Sequence, residues 1–132
     1  MEHNATGSEI VISKTVTEEM TALRVGSGSL RVLATPVLIA LMEGASCELS
    51  EKLTEEGATT VGTMISVEHK AATPVGCTVT VKAVLTQVEG RKYCFDVSAW
   101  DEAGVVAEGK HERYAVFSER FMQRALAAHG ID

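Results

Sequence analysis

The sequence predicts an α+β fold in which one antiparallel sheet wraps around a single long central helix. Three observations support this fold class. A Thr-Pro pair opens an apolar helical segment near residue 35. Four β-rich segments, separated by Gly- and Pro-containing turns, follow that helix. A helix that is apolar around most of its girth must be covered, and a sheet that curls around it satisfies this requirement.

The elements before the sheet are a strand, a connector and the helix. Residues 9–16 are rich in β-branched side chains, which predicts a first strand. Gly and Ser dominate residues 24–30, which indicates either a plain connector or a mobile flap beside a ligand site. Thr35 is a good N-cap and Pro36 suits the first helical position, so we expect a helix from there to about Leu53. Its apolar first half should be buried.

Four further strands and a short helix complete the chain. We expect strands at 60–69, 77–88, 93–100 and 105–117, joined by turns that are marked by Gly or Pro. Ser118 should cap a helix over 118–126. A strand, a long apolar helix and a four-strand meander in this order predict the hotdog fold, as one domain over residues 1–132.

Composition limits the classes of function. The net charge of −6 argues against nucleic acid or an anionic membrane surface as a main partner. Residues 1–7 lack the features of a signal peptide, and the longest apolar run, 37–42, is too short to span a bilayer. The three cysteines are odd in number and form no CxxC pair, which favours reduced thiols in a cytoplasmic protein. His and Cys show no metal-ligand spacing, so we expect neither a metal nor a cofactor.

Glu43 is a carboxylate in the most apolar stretch of the chain. Its helical neighbours at three and four residues are Ile39, Ala40, Ser46 and Cys47, and none of them is charged. Burying an unpaired carboxylate costs several kcal/mol. Glu43 therefore either orients the helix through a buried donor or acts as a general base or nucleophile, and we favour the second interpretation.

Three other polar or small residues have positions that suit chemistry. His69 ends the first meander strand, where it either faces water or serves in acid–base catalysis near neutral pH. Thr35 is explained by helix capping alone. Gly62 lies inside a strand, which predicts a bulge or a close backbone approach, and a backbone N–H freed there could bind an oxyanion.

These residues lie in segments that resemble the fluoroacetyl-CoA thioesterase family of hotdog proteins. The resemblance runs from about residue 10 to residue 124. It is carried by Ala34-Thr35, Leu41-Met42-Glu43, Gly62-Thr63 and residues 67–76, 88–91, 97–99 and 109–113. The turn H-x-A-A-T-P-x-G at 69–76 together with the L-M-E segment is fairly specific.

The resemblance implies a catalytic set of Thr35, Glu43 and His69. It also implies that the Gly62 amide approaches the thioester carbonyl and that Arg113, in an H-E-R segment, lies near the substrate. The specialised family member excludes unfluorinated acyl groups with an aromatic-lined lid, whereas residues 24–33 here contain no aromatic side chain.

The expected activity is hydrolysis of a small acyl-CoA thioester, in a homodimer with its active sites near the subunit interface. Pairing two subunits would also cover an exposed sheet edge. Two alternatives stay open, namely a hotdog protein that binds acyl-CoA without turnover and a dehydratase acting on hydroxyacyl thioesters.

Overall fold

The computed structural model describes residues 5–132. Residues 1–4 lie outside the described residues, and they are part of the segment 1–7 in which the sequence showed no signal-peptide features. The strands are β1 (Glu9–Thr15), β2 (Ala58–His69), β3 (Thr78–Glu89), β4 (Lys92–Asp101) and β5 (Gly104–Phe117). The helices are α1 (Ala22–Val25), α2 (Thr35–Glu51) and α3 (Ser118–Ala128), with a 3₁₀ turn at Glu18–Met20 before α1.

The five strands form one antiparallel sheet in the order β1-β3-β4-β5-β2. Strand β2 therefore leaves the helix and crosses to the far edge, beside β5, instead of pairing with its sequence neighbours. A bulge between Gly62 and Met64 interrupts its register with β5, which confirms the irregularity predicted for Gly62. The consecutive residues Gly62, Thr63 and Met64 are exposed on this edge.

The core lies between one face of the sheet and helix α2. Alternate side chains of β3 are buried, as a period of two requires for a strand covered on one face. Four positions of α2 at helical spacing meet them: Leu38, Met42, Ala45 and Leu49.

The first half of α2 is less buried than its apolar sequence predicts. Pro36, Ala40 and Gly44, at a spacing of four residues, form an exposed line along the helix. One sheet covers only one side of a helix, so the opposite side of α2 stays accessible in a single chain.

Two predicted helix caps are wrong by one residue. Ala34 occupies the N-cap position of α2, so Thr35 is the first helical residue and Pro36 the second. Phe117 likewise precedes α3, and Ser118 begins that helix instead of capping it. Neither cap position provides a side-chain hydrogen bond, and the Thr35 hydroxyl is used elsewhere.

The predicted flexible segment, residues 24–30, begins within the short helix α1. Thr21 is buried and accepts a hydrogen bond of 3.2 Å from the Arg24 amide, which caps α1. Single β-bridges join Thr21 to Leu33 and Val32 to Pro74, so both ends of the segment are tied to the body of the protein. No helix among residues 5–132 has the length and apolar character needed to cross a membrane.

Candidate functional site

The structure brings Thr35 and His69 into direct contact. Thr35 lies in the first turn of α2 and His69 ends β2, and the Thr35 Oγ1 and His69 Nδ1 atoms share a hydrogen bond of 2.7 Å. Burial of the ring lowers the pKa of His69 below its usual value, and a hydrogen bond with the Ala71 backbone opposes this shift. The ring is therefore held neutral near pH 7, which leaves it able to accept a proton.

The second ring nitrogen of His69 is buried and has no hydrogen-bond partner among the described residues. A buried polar atom without a partner is costly, so such atoms are concentrated where a ligand or water completes the site. His69 and Thr35 both line a cleft of about 460 Å³. Its other walls come from the segment before α2 and from the turn after β2: Ala22, Ser27, Val32, Leu33, Pro36, Lys70, Ala71 and Ala72.

Glu43, Gly62, His111 and Arg113 form a second cluster. A Cβ atom placed on Gly62 would lie 3.1 Å from Glu43 Oε2, 3.3 Å from His111 Cε1 and 3.4 Å from Arg113 Nη1. Glycine is thus the residue that lets three side chains approach the β2 backbone at one point. Glu43 is half-buried, and within the described residues its carboxylate makes no hydrogen bond or ion pair.

Arg113 is held by three hydrogen bonds inside the protein, with only 7% of its surface exposed. Its Nε donates to Thr60 Oγ1 and its Nη2 to the Thr60 carbonyl, both at 2.8 Å. Thr60 in turn shares a bond of 2.8 Å with Ser50, whose hydroxyl donates to the Cys47 carbonyl. This chain joins α2, β2 and β5 and fixes the direction of the guanidinium.

His111 completes the Arg113 network. Its Nδ1 donates to the Met64 carbonyl at 2.8 Å, and its Nε2 accepts from Arg113 Nη1 at 3.2 Å. Burial lowers the pKa of His111; the Arg113 charge adds to this, whereas the Met64 hydrogen bond and the Glu43 charge oppose it. A neutral imidazole with Nδ1 protonated matches both hydrogen bonds.

The two clusters are separate within one chain. Gly62 and His69 are seven residues apart on β2, or roughly 23 Å. Thr35 and Glu43 are eight residues apart on α2, or roughly 12 Å. A single chain therefore pairs Thr35 with His69, and Glu43 with Gly62 and Arg113, but it does not bring the three residues expected to be catalytic into one hydrogen-bonded set.

His111 and Thr60 have positions in the site that the sequence did not indicate. His111 stands two residues before Arg113, so both point to the same face of β5, and this spacing is the signal that could have identified it. Thr60 gives no such signal, because its contact with Arg113 depends on the pairing of β2 with β5. No group of three or more His, Cys, Asp or Glu side chains in residues 5–132 is arranged to hold a metal ion.

The chain matches known thioesterases in sequence and in structure. Residues 16–119 match the model of the FlK family, described as fluoroacetyl-CoA-specific thioesterase. A fluoroacetyl-CoA thioesterase from Streptantibioticus cattleyicolor is 43% identical over 90 residues, which are 68% of this chain. The matched segment covers 65% of that relative's length.

Solved structures show the same fold. A point mutant of FlK, the fluoroacetyl-CoA-specific thioesterase, superposes with a TM-score of 0.89 at 31% identity, covering 97% of this chain and 99% of the other. A point mutant in complex with fluoroacetate and CoA gives 0.83 at 34% identity, covering 88% and 98%.

A hot-dog-like protein from Thermanaerovibrio acidaminovorans, at 24% identity and a TM-score of 0.86 over 93% of this chain and 91% of its own, adds support for the fold alone. The predicted hotdog fold and the family resemblance are both confirmed. The chain belongs to the FlK family of fluoroacetyl-CoA-specific thioesterases.

Proposed function

We propose that this protein hydrolyses a small acyl-CoA thioester to the free acid and CoA. The observation that carries the proposal is the position of the Glu43 carboxylate. It lies against the Gly62 backbone without a partner of its own, beside the fixed Arg113 guanidinium. An unpaired carboxylate beside a backbone bulge and a cation is suited to attack on a carbonyl whose developing negative charge needs stabilisation.

The proposed reaction needs no cofactor. Either Glu43 or a water that it deprotonates adds to the thioester carbon, and the carbonyl π electrons move to oxygen. The Gly62 amide would bind that oxyanion, with the Arg113 charge nearby. Collapse of the intermediate breaks the C–S bond and releases the thiolate. The thiolate is protonated by the proton that the reacting water loses, which the neutral His69 ring accepts and passes on. If Glu43 attacks directly, water then hydrolyses the mixed anhydride.

We further propose that the working unit is a homodimer whose active sites combine residues of two subunits. The exposed β2 edge can pair antiparallel with the same edge of a second chain. A twofold axis between Ile65 and Ser66 would place Gly62 opposite His69 of the partner subunit. The distance of roughly 23 Å within one chain would then be closed across the interface.

The specificity for fluoroacetyl-CoA for which the relatives are named is not part of this proposal. Residues 24–33, which border the cleft through Ser27, contain no aromatic side chain. We therefore expect hydrolysis of small unfluorinated acyl groups as well. A cytoplasmic location, which the odd number of cysteines favours, is part of the same proposal.

A thiol-release screen over short, branched and aromatic acyl-CoA thioesters tests the proposal. Free CoA should appear together with an equal amount of carboxylic acid. Saturable acyl-CoA binding without thiol release across the panel would show a binding protein instead. Conversion of a hydroxyacyl thioester to an enoyl thioester without free CoA would show a dehydratase.

A further inference from the structure

Three arginines that no catalytic role explains surround one cavity at the end of the sheet. Arg91, Arg120 and Arg124 line a space of about 240 Å³ together with Val116, Phe117 and Phe121. They are half of the six arginines in a chain whose net charge is −6. Such a concentration of positive charge on an acidic protein marks a place where an anion is favoured.

The three guanidinium groups are free to bind. Within residues 5–132 none of them makes an ion pair or a hydrogen bond, whereas Arg31 is paired with Glu18 and Arg113 is satisfied internally. The backbone positions that carry them are fixed by the fold. The Arg91 carbonyl accepts a hydrogen bond of 2.8 Å from the Ala115 amide, and Arg120 and Arg124 are one turn apart on the same face of α3.

Aromatic surface lies beside the positive charge. Phe117 and Phe121 are 43% and 40% exposed, and the Arg120 guanidinium carbon lies 5.8 Å from the centre of the Phe117 ring. Phe117 also lines a neighbouring cavity of about 250 Å³ with Leu53, Tyr93 and Ala115. The surface thus offers guanidinium groups for phosphate and flat rings for a base, which is the chemistry of a nucleotide site.

Two carboxylates flank this region without neutralising it. Glu119 lines a third cavity, of about 480 Å³, which shares Phe117 and Arg120 with the arginine cavity. Glu55 lines the neighbouring cavity of about 250 Å³. Neither forms an ion pair with the three arginines.

The distance to the candidate catalytic cluster is within the reach of one part of CoA. Phe117 is four residues beyond Arg113 on β5, or about 13 Å along the strand. The pantetheine arm, which separates the thioester from the phosphates of CoA, is about as long as five extended peptide residues, or about 17 Å. A thioester at Gly62 could therefore place its nucleotide at the three arginines.

We infer that Arg91, Arg120 and Arg124 form the subsite for the 3′-phosphoadenosine diphosphate end of CoA, with Phe117 and Phe121 beside the adenine. This inference rests on the proposed function. In this inference the three arginines raise the affinity for CoA and take no part in the reaction at the acyl group.

The test compares one acyl group on CoA and on pantetheine, which lacks the nucleotide. For the wild type, KM for the acyl-CoA should be at least about tenfold lower than for the acyl-pantetheine, and more so at low ionic strength. The double variant Arg120→Gln with Arg124→Gln should raise KM for acyl-CoA about tenfold or more, with kcat and the hydrolysis of acyl-pantetheine unchanged. The charge-matched control Lys14→Gln with Lys82→Gln, on β1 and β3, should behave as the wild type.

Direct binding of adenosine 3′,5′-bisphosphate and of CoA, measured by calorimetry, separates this inference from the proposed function. Loss of CoA binding in the arginine variant alone would support the subsite even if no thioester were hydrolysed. Equal CoA affinity in the wild type and the arginine variant would overturn it. Equal wild-type KM values for acyl-CoA and acyl-pantetheine would overturn it as well.

Discussion

Gly62 is the residue on which the geometry of the Glu43 cluster depends. It has no Cβ, and Glu43, His111 and Arg113 all occupy space that a Cβ would contact within 3.4 Å. The φ angle of Gly62 is not positive, so a left-handed backbone conformation does not explain why glycine stands here. The close approach explains it instead.

Gly62→Ala is expected to lower kcat with little change in stability. The added methyl group would lie 3.1 Å from the Glu43 carboxylate, so the carboxylate must move away from the bulge. A misplacement of that size at the reacting atoms costs on the order of a hundredfold in rate. The matched control is Thr63→Ala, one residue along the same strand, whose kcat should stay close to the wild type. Equal kcat values for Gly62→Ala and the wild type would contradict this role.

The pH dependence of turnover should report His69. Burial lowers the pKa of this ring, so it stays neutral at pH values where a free histidine is already partly charged. If the neutral ring takes part in proton transfer, kcat/KM should be constant near pH 7 and fall as the pH drops below about 6. The inflection should disappear in His69→Gln, together with most of the activity. An acidic limb that persists unchanged in this variant would assign the titration to another group.

At the scale of elements, the Ser50–Thr60–Arg113 chain joins α2, β2 and β5. Arg113 donates to two atoms of Thr60 with different N–H groups, a fork that only a guanidinium provides. Another positively charged side chain at position 113 would not reproduce these two hydrogen bonds to Thr60.

Arg113→Lys is therefore expected to destabilise the fold although the charge is kept. A lysine cannot make all three bonds, so Thr60 and His111 would each lose a partner while buried. The free energy of unfolding, measured by urea denaturation, should fall by about 2 kcal/mol. The control Arg24→Lys, at an exposed position on α1, should change it by less than about 0.5 kcal/mol. Equal stability of the two variants would mean that the fork contributes nothing beyond its charge.

The sequence predicted the elements well because their signals are local. The alternation of β3 and the Thr-Pro start of α2 each require only neighbouring residues, and both elements form within a residue or two of the expected bounds. The contact of Glu43 with Gly62, His111 and Arg113 is not local. It requires β2 to cross the fold and pair with β5 in the register Gly62–Arg113, which no short pattern encodes.

For the whole molecule, the question is why Thr35 and His69 lie so far along α2 and β2 from Glu43 and Gly62. The second subunit proposed above, paired through β2, would answer it and would also cover the exposed line of Pro36, Ala40 and Gly44. The same pairing would turn the unsatisfied His69 Nε2 toward the partner subunit's Gly62.

Subunit complementation tests this shared site. Glu43→Gln and His69→Gln chains should each be inactive alone. In a refolded equal mixture, about half the dimers are mixed, and each mixed dimer has one site with both residues intact, so activity should return to about a quarter of the wild type. If light scattering shows the mixtures to be dimeric and no activity returns, each site lies within one chain. If the protein is a monomer at micromolar concentration, the proposed dimer is wrong.

The most direct measurement is kcat of Glu43→Gln on an acyl-CoA that the wild type hydrolyses. Glutamine keeps the size of the side chain and removes the charge that attacks the carbonyl or activates water. We predict a loss of about a thousandfold in kcat with an unchanged melting temperature, while the control Glu56→Gln, in the exposed turn before β2, keeps full activity. A kcat for Glu43→Gln within about threefold of the wild type would contradict the account.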